Sequence, residues 1–186
     1  MNDNSNKPRC FWCNPKNPLY VEYHDKEWGV ARFDDAYLFE MLILESFQAG
    51  LSWECVLNKR QSFREAFDGF VADKIAAYGE DKVAELLQNP GLIRNRLKIR
   101  AAISNARIFL DIVSEKGSFY NYLRTFWNGD TVFENDKTKS PLSDAVSADL
   151  SRRGMKYVGT TIIYSYLQAV GVINSHGDEC FLNKKI

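Results

Sequence analysis

The run DDAYLFEMLILESF, Asp34 to Phe47, sets the tightest limit on what this chain can fold into. Asp34 or Asp35 is a natural N-cap, and the residues that follow are apolar on almost every face of a helix. Such a helix cannot lie on a surface, so other elements must surround it. The dominant period elsewhere is also helical. DKVAELLQNPG predicts a short helix from Asp81 to Gln88, stopped by Pro90 and Gly91. RNRLKIRAAISNARIFLDIVSEKG puts Ile99, Ile103, Ala106, Leu110 and Val113 on one buried stripe, closed by Gly117. SDAVSADLSRRG predicts a helix from a cap near Ser143 to Gly154, and TTIIYSYLQAVG predicts another from Thr160 to Gly171. Clean alternation is absent, and Gly129 to Pro141 reads as a long loop. The expectation is an all-α protein.

A length of 186 residues allows one domain with a real core, or a domain plus a small lobe. The opening MNDNSNKPR is polar and has no apolar stretch of the kind a secretory leader carries. No apolar run is long enough to predict a membrane span. The expected compartment is therefore the cytoplasm. There cysteines stay reduced, and clustered ones point to metal or catalysis before disulfides. Formal net charge is zero, which by itself gives no support to nucleic-acid binding. The charge is unevenly spread. Glu22 to Glu45 holds seven acidic and two basic residues, whereas Leu92 to Arg107 holds Arg94, Arg96, Lys98, Arg100 and Arg107 with no acid. NPGLIRNR, Asn89 to Arg96, puts a Pro-Gly turn between two helices, where exposed backbone N–H groups and a helix N-terminus suit a phosphate. A solvated helix face and an ordinary inter-helix turn would read the same way.

Six residues from the end of the chain lies half of a metal site. His176 and Cys180, in HGDEC, are spaced so that one turn can present both. The other histidine is His24, in YHDKEWG, and upstream of it lie Cys10 and Cys13, in RCFWC. Either cysteine with His24 would complete a Cys2His2 set and clasp the two ends of the chain around one ion. Four filled positions leave no place for an activated water, so such an ion would be structural. The alternatives are a hydrogen-bonded core histidine at 24 and a redox pair in CFWC.

Glu45 falls on the same face as Leu38, Met41 and Leu42. An unpaired carboxylate among apolar neighbours is costly, so it must be exposed, be paired, or wait for a ligand. Trp53 follows eight residues on, and Trp12, Tyr20, Tyr23 and Trp28 precede it. Rings beside an ionised carboxylate make a pocket for a flat cationic ring, held on its faces by stacking and on its edge by charge. The same rings could equally be core.

Taken in order, RCFW, PLYVEYHDKEWGV, LFEMLILESFQAGLSWECVLNKR, GLIRNRLKI and KYVGTTIIYSYLQAVGVINSH resemble the 3-methyladenine DNA glycosylase I family of the helix-hairpin-helix superfamily over nearly the whole chain. The resemblance implies an all-α, helix-hairpin-helix glycosylase-like bundle with a zinc site joining the N- and C-terminal segments. It implies one unit over 1–186, with a hairpin lobe over 35–125 and a zinc lobe over 1–34 and 140–186. One structural Zn2+ per chain would be held by Cys10, His24, His176 and Cys180. Glu45, the catalytic residue, and Tyr23 would meet the edge of a flipped base, and Trp53 would stack on it. Trp12 and Trp28 would complete the wall. Gly50 and Leu51 would fill the gap left in the duplex, and Gly91 and Arg94 would grip its backbone.

The implied activity is monofunctional hydrolysis of the N-glycosidic bond of N3-methyladenine, leaving an abasic site. The partners would be double-stranded DNA carrying alkylated purines and free 3-methyladenine as product, with a monomeric protein and no membrane. No aspartate stands out to stabilise the sugar cation, so catalysis would rest largely on binding an already labile base. Two other readings are a non-catalytic, zinc-clasped DNA-binding module and action on N7-methylguanine or N3-methylguanine. The chain departs from the family pattern at Phe11, where glycine is common, at the extra thiol Cys13, and at Ser46-Phe47 in place of Gly-Gln.

Overall fold

A computed structural model describes residues 7–183. The polar opening residues 1–6 and the last three residues of the expected terminal lobe lie outside them. The described chain is built from helices: α1 (Pro18–Lys26), α2 (Asp35–Gln48), α3 (Trp53–Leu57), α4 (Arg60–Ala66), α5 (Ala72–Ala76), α6 (Glu80–Gln88), α7 (Arg96–Lys116), α8 (Phe119–Leu123), α9 (Pro141–Arg152) and α10 (Thr160–Ala169). Among the described residues no helix is long and apolar enough to cross a membrane.

α2 lies at the centre, as its pattern demands. Asp34 accepts a hydrogen bond from the Tyr37 N–H, and every residue from Tyr37 to Phe47 is buried. α3, α7, α8 and α10 all pack on it. α7 is capped by the Asn95 side chain and ends at Gly117 in the left-handed region, which a glycine enters without steric cost. Its buried stripe is Ile99, Ala102, Ile103, Ala106, Phe109 and Ile112, while Leu110 and Val113 are only half-buried. A three-residue step swings the face away from the expected line.

Two other expectations change. α9 starts at Pro141, because Ser140 is the cap and Ser143 answers it from the third helical position in a reciprocal pair of bonds. The loop after Trp127 also contains β1 (Val132–Phe133), which pairs in parallel with β2 (Ile173–Asn174), so the helical fold carries one short ladder. That ladder ties the loop to the C-terminal segment. On the other side of the same segment, the Gly29 N–H donates to the Gln168 carbonyl and the Arg32 N–H donates to the Val170 carbonyl. Gly171 makes this approach possible: a Cβ there would sit 2.3 Å from the Ala31 nitrogen. The two ends of the described chain are thus brought against each other over α10.

Candidate functional site

A cleft of about 610 Å³ opens between α1, the start of α3 and one face of α10. Its lining includes Trp12, Tyr20, Tyr23, Trp28, Glu45 and Trp53. Local sequence explains how each is delivered. Asn17 caps α1 and Pro18 opens it, which turns Tyr20 and Tyr23 inward. Ser52 caps α3, so Trp53 is the first residue of a rigid turn. The Tyr23 and Trp53 rings lie 5.2 Å apart, and Trp12 meets Trp28 edge-on at 4.7 Å. The buried Arg60 guanidinium donates to Glu40 on α2 at 2.6 Å and to Glu27 at the end of α1 at 2.7 Å. That pair of bonds fixes the spacing of the two helices that carry Tyr23 and Glu45.

Glu45 is 2% exposed, and its Oε2 has no hydrogen-bond partner among the described residues. Gln48 Oε1 and Trp53 Nε1, on the same cleft, are also without one. Buried polar atoms are seldom left so, and several facing one cavity mark a place built for a polar ligand. Burial pushes the Glu45 carboxyl up to about 8. Desolvation, with no neighbouring cation to offset it, favours the protonated form of this carboxyl. A neutral carboxyl donates from one oxygen and accepts at the other.

The far wall was not anticipated. Thr161, Tyr164, Ser165 and Gln168 line it from α10, joined by Asn135 to Thr138 and Ser175. The α10 residues recur at i, i+3, i+4 and i+7, a polar stripe on an otherwise apolar helix, so a signal was present in TTIIYSYLQ.

At one end the cleft abuts a cluster of Cys10, His24, His176 and Cys180, all buried, whose candidate ligand atoms lie within 4.8 Å of one another. Cys10 Sγ is 3.6 Å from His176 Nδ1, Cys180 Sγ is 3.4 Å from the same atom, and Cys180 Sγ is 3.5 Å from His24 Nε2. The outer ring nitrogens are both held, His24 Nδ1 by Asp25 at 2.8 Å and His176 Nε2 by the Trp28 carbonyl at 3.2 Å. Arg9 grips Asp25 in turn. Desolvation holds both histidines below their ordinary range, so they are neutral and free to act as ligands. Cys13 stands apart, its thiol donating to the Tyr20 carbonyl at 3.8 Å. The four grouped residues could hold a metal ion.

Gly50 follows α2 with positive φ and nothing within 4 Å of a built Cβ, and Leu51 is 41% exposed. At the α6–α7 turn the picture is mixed. The Gly91 N–H, expected to be free for an anion, donates to Asn89 Oδ1 at 2.8 Å. The Ile93 and Arg94 N–H groups find no acceptor among the described residues. Arg94 is exposed, whereas Arg96 and Arg100 are paired with Glu80 and Lys98 is buried. The basic run is thus largely neutralised by its own fold.

A family model described as methyladenine glycosylase matches residues 12–183. DNA-3-methyladenine glycosylase 1 of Escherichia coli (strain K12) is 44% identical over 178 residues, covering 92% of this chain and 95% of that protein. A crystal structure of 3-methyladenine DNA glycosylase I superimposes with a TM-score of 0.89 at 44% identity, over 95% of this chain and all of that one. A variant of 3-methyladenine DNA glycosylase I, solved in complex with 3-methyladenine, does so with a TM-score of 0.87 at 31% identity, over 91% of this chain and 95% of its own.

Proposed function

The chain belongs to the methyladenine glycosylase family, and from that premise we propose that it hydrolyses the N-glycosidic bond of N3-methyladenine in alkylated DNA. The observation that carries the reading is the aromatic cleft in which Tyr23 and Trp53 flank a buried carboxyl with an unpartnered oxygen. Methylation at N3 charges the purine and makes it a good leaving group. Water adds to the sugar carbon as the bond to the base breaks, giving free base and an abasic site. The protein's work is to draw the base from the stack, hold it and admit that water. Trp53 takes its face. Glu45 and Tyr23 take its edge, where a protonated carboxyl can donate to a ring nitrogen and accept from an amino group. Trp12 and Trp28 close the wall.

Gly50 and Leu51 fill the vacated place in the duplex. Gly91 shapes the hairpin, and Arg94 with the neighbouring free N–H groups holds a backbone phosphate. The hairpin lobe spans about 35–125, and the terminal lobe about 1–34 and 140–186. The protein acts as a cytoplasmic monomer. The four-residue cluster holds one zinc ion. A tetrahedral ion at ordinary Zn–S and Zn–N lengths would set sulfur and nitrogen ligands about 3.6 Å apart, close to the spacing found. Carboxylate and carbonyl partners on the outer ring nitrogens are the usual support of such ligands. The ion's part is to tie the chain ends together and so hold α1 at the cleft.

The test is incubation with methylated duplex DNA and chromatography of the released bases. 3-Methyladenine should be the main product, released more slowly by Trp53→Ala. Zinc-bearing protein that binds DNA and releases no base would favour the binding-module reading instead.

A further inference from the structure

Lys98 lies in the first turn of α7. A lysine there faces the positive end of the helix and should be unwelcome. It is also only 7% exposed, and lysine is among the residues least often buried. The reason for so costly a placement is on α2. That helix has no basic residue in its last turn, and the final carbonyls of a helix have no partner within it. Lys98 Nζ donates to the Phe47 carbonyl at 2.7 Å and to the Ala49 carbonyl at 2.5 Å, and stands 5.7 Å from the Tyr157 ring. The Ala49 carbonyl is the last one before Gly50. Beyond it the Leu51 N–H returns to the Gln48 carbonyl at 2.7 Å, and Ser52 caps α3. The turn is therefore clamped on both sides, with Gly50 and Leu51 projecting between the clamps. Burial lowers the affinity of Lys98 for its proton.

We propose that Lys98 is a positioning residue that couples the phosphate-holding hairpin, four residues away at Arg94, to the Gly50–Leu51 turn that enters the duplex. The proposal rests on the glycosylase reading of those two elements. When the hairpin seats on the backbone, α7 carries Lys98 with it, and Lys98 fixes the height and direction of Leu51. A lysine that merely capped α2 would stabilise the fold and leave all substrates equally affected. A coupling lysine affects only the substrate from which a base must be extracted.

Lys98→Met, Lys98→Gln and wild type are compared in three measurements: tryptophan fluorescence titration with free 3-methyladenine, release of methyladenine from a methylated oligonucleotide as a single strand, and release from the same oligonucleotide as a duplex. Free-base affinity and single-strand release should stay within about twofold, because the Glu45 pocket is untouched. Duplex release should fall roughly tenfold to a hundredfold, the scale expected of a displaced positioning element. An equal fall on both DNA forms, a parallel loss of free-base affinity in both variants, or no change on duplex would each overturn the proposal. Wild type releasing methyladenine from neither DNA form would refute the assigned activity instead.

Discussion

Glu45→Gln separates shape from charge at the centre of the cleft, and its effect on stability follows from one geometric fact. The carboxyl is 2% exposed and has no cation or donor on Oε2. Burial therefore lifts it from an ordinary 4.5 to about 8. The folded protein then binds this proton more tightly than the unfolded chain. Any stability held through Glu45 is fully present below pH 4.5 and drains away as pH rises to 8. The cost is about 1.4 kcal/mol for each pH unit in that window, on the order of 5 kcal/mol in all. Glutamine does not titrate. Between pH 5 and 7.5 the variant should gain about 3 kcal/mol relative to wild type. At this chain length that is roughly 6–12 °C in melting temperature. Urea unfolding at a series of pH values, read by tryptophan fluorescence, measures the difference directly. The titration of the Cys and His cluster is common to both proteins and cancels. Parallel pH profiles would show that Glu45 ionises as an exposed carboxyl does, and the account of a neutral hydrogen-bonding acid would fall.

Further outcomes are expected. Purified protein should carry one zinc per chain by atomic absorption, and Cys180→Ser should lose it and unfold more readily, since metal-binding free energy is also folding free energy. Cys13→Ser should keep its zinc, and loss there with retention in Cys10→Ser would mean the wrong cysteine is assigned. Trp53→Ala should weaken free 3-methyladenine binding by about 1–3 kcal/mol, the usual worth of base stacking; unchanged affinity by titration calorimetry would move the pocket elsewhere. Arg94→Glu should weaken binding to damaged and undamaged duplex alike, because phosphate contacts carry no sequence or lesion information, and a defect confined to damaged DNA would contradict that role. Gly91→Ala should cost about 1–3 kcal/mol, because its Cβ would press 2.8 Å from Ser62 Cβ and Oγ; Ser62→Gly should recover part of it in the double variant, and equal losses with and without Ser62→Gly would refute the clash.

What the sequence conveyed and what it hid divide along a physical line. A helix apolar on all sides has one possible place, so α2 was readable from Leu38 to Phe47. Histidines and cysteines are few enough that their pairing across the chain was readable too, although spacing alone left Cys10 and Cys13 equal. Only packing sends the Cys13 thiol to the Tyr20 carbonyl and the Cys10 thiol to His176. α3, α4, α5 and α8, at five to seven residues, are too short for periodicity to announce them, and each is held mainly by tertiary contact. The upward shift of the Glu45 carboxyl was hidden for a related reason. A carboxyl among rings reads as a charge awaiting a cation, because sequence shows neighbours and not the solvent they exclude. Once Tyr23, Trp53 and α2 close around it, desolvation outweighs anything the nearest cation can supply. Arg60, the buried cation between α1 and α2, is already committed to Glu27 and Glu40. In its protonated form, which burial favours, the carboxyl can give and take at a purine edge at once. That dual capacity discriminates by hydrogen-bond pattern, which charge alone does not.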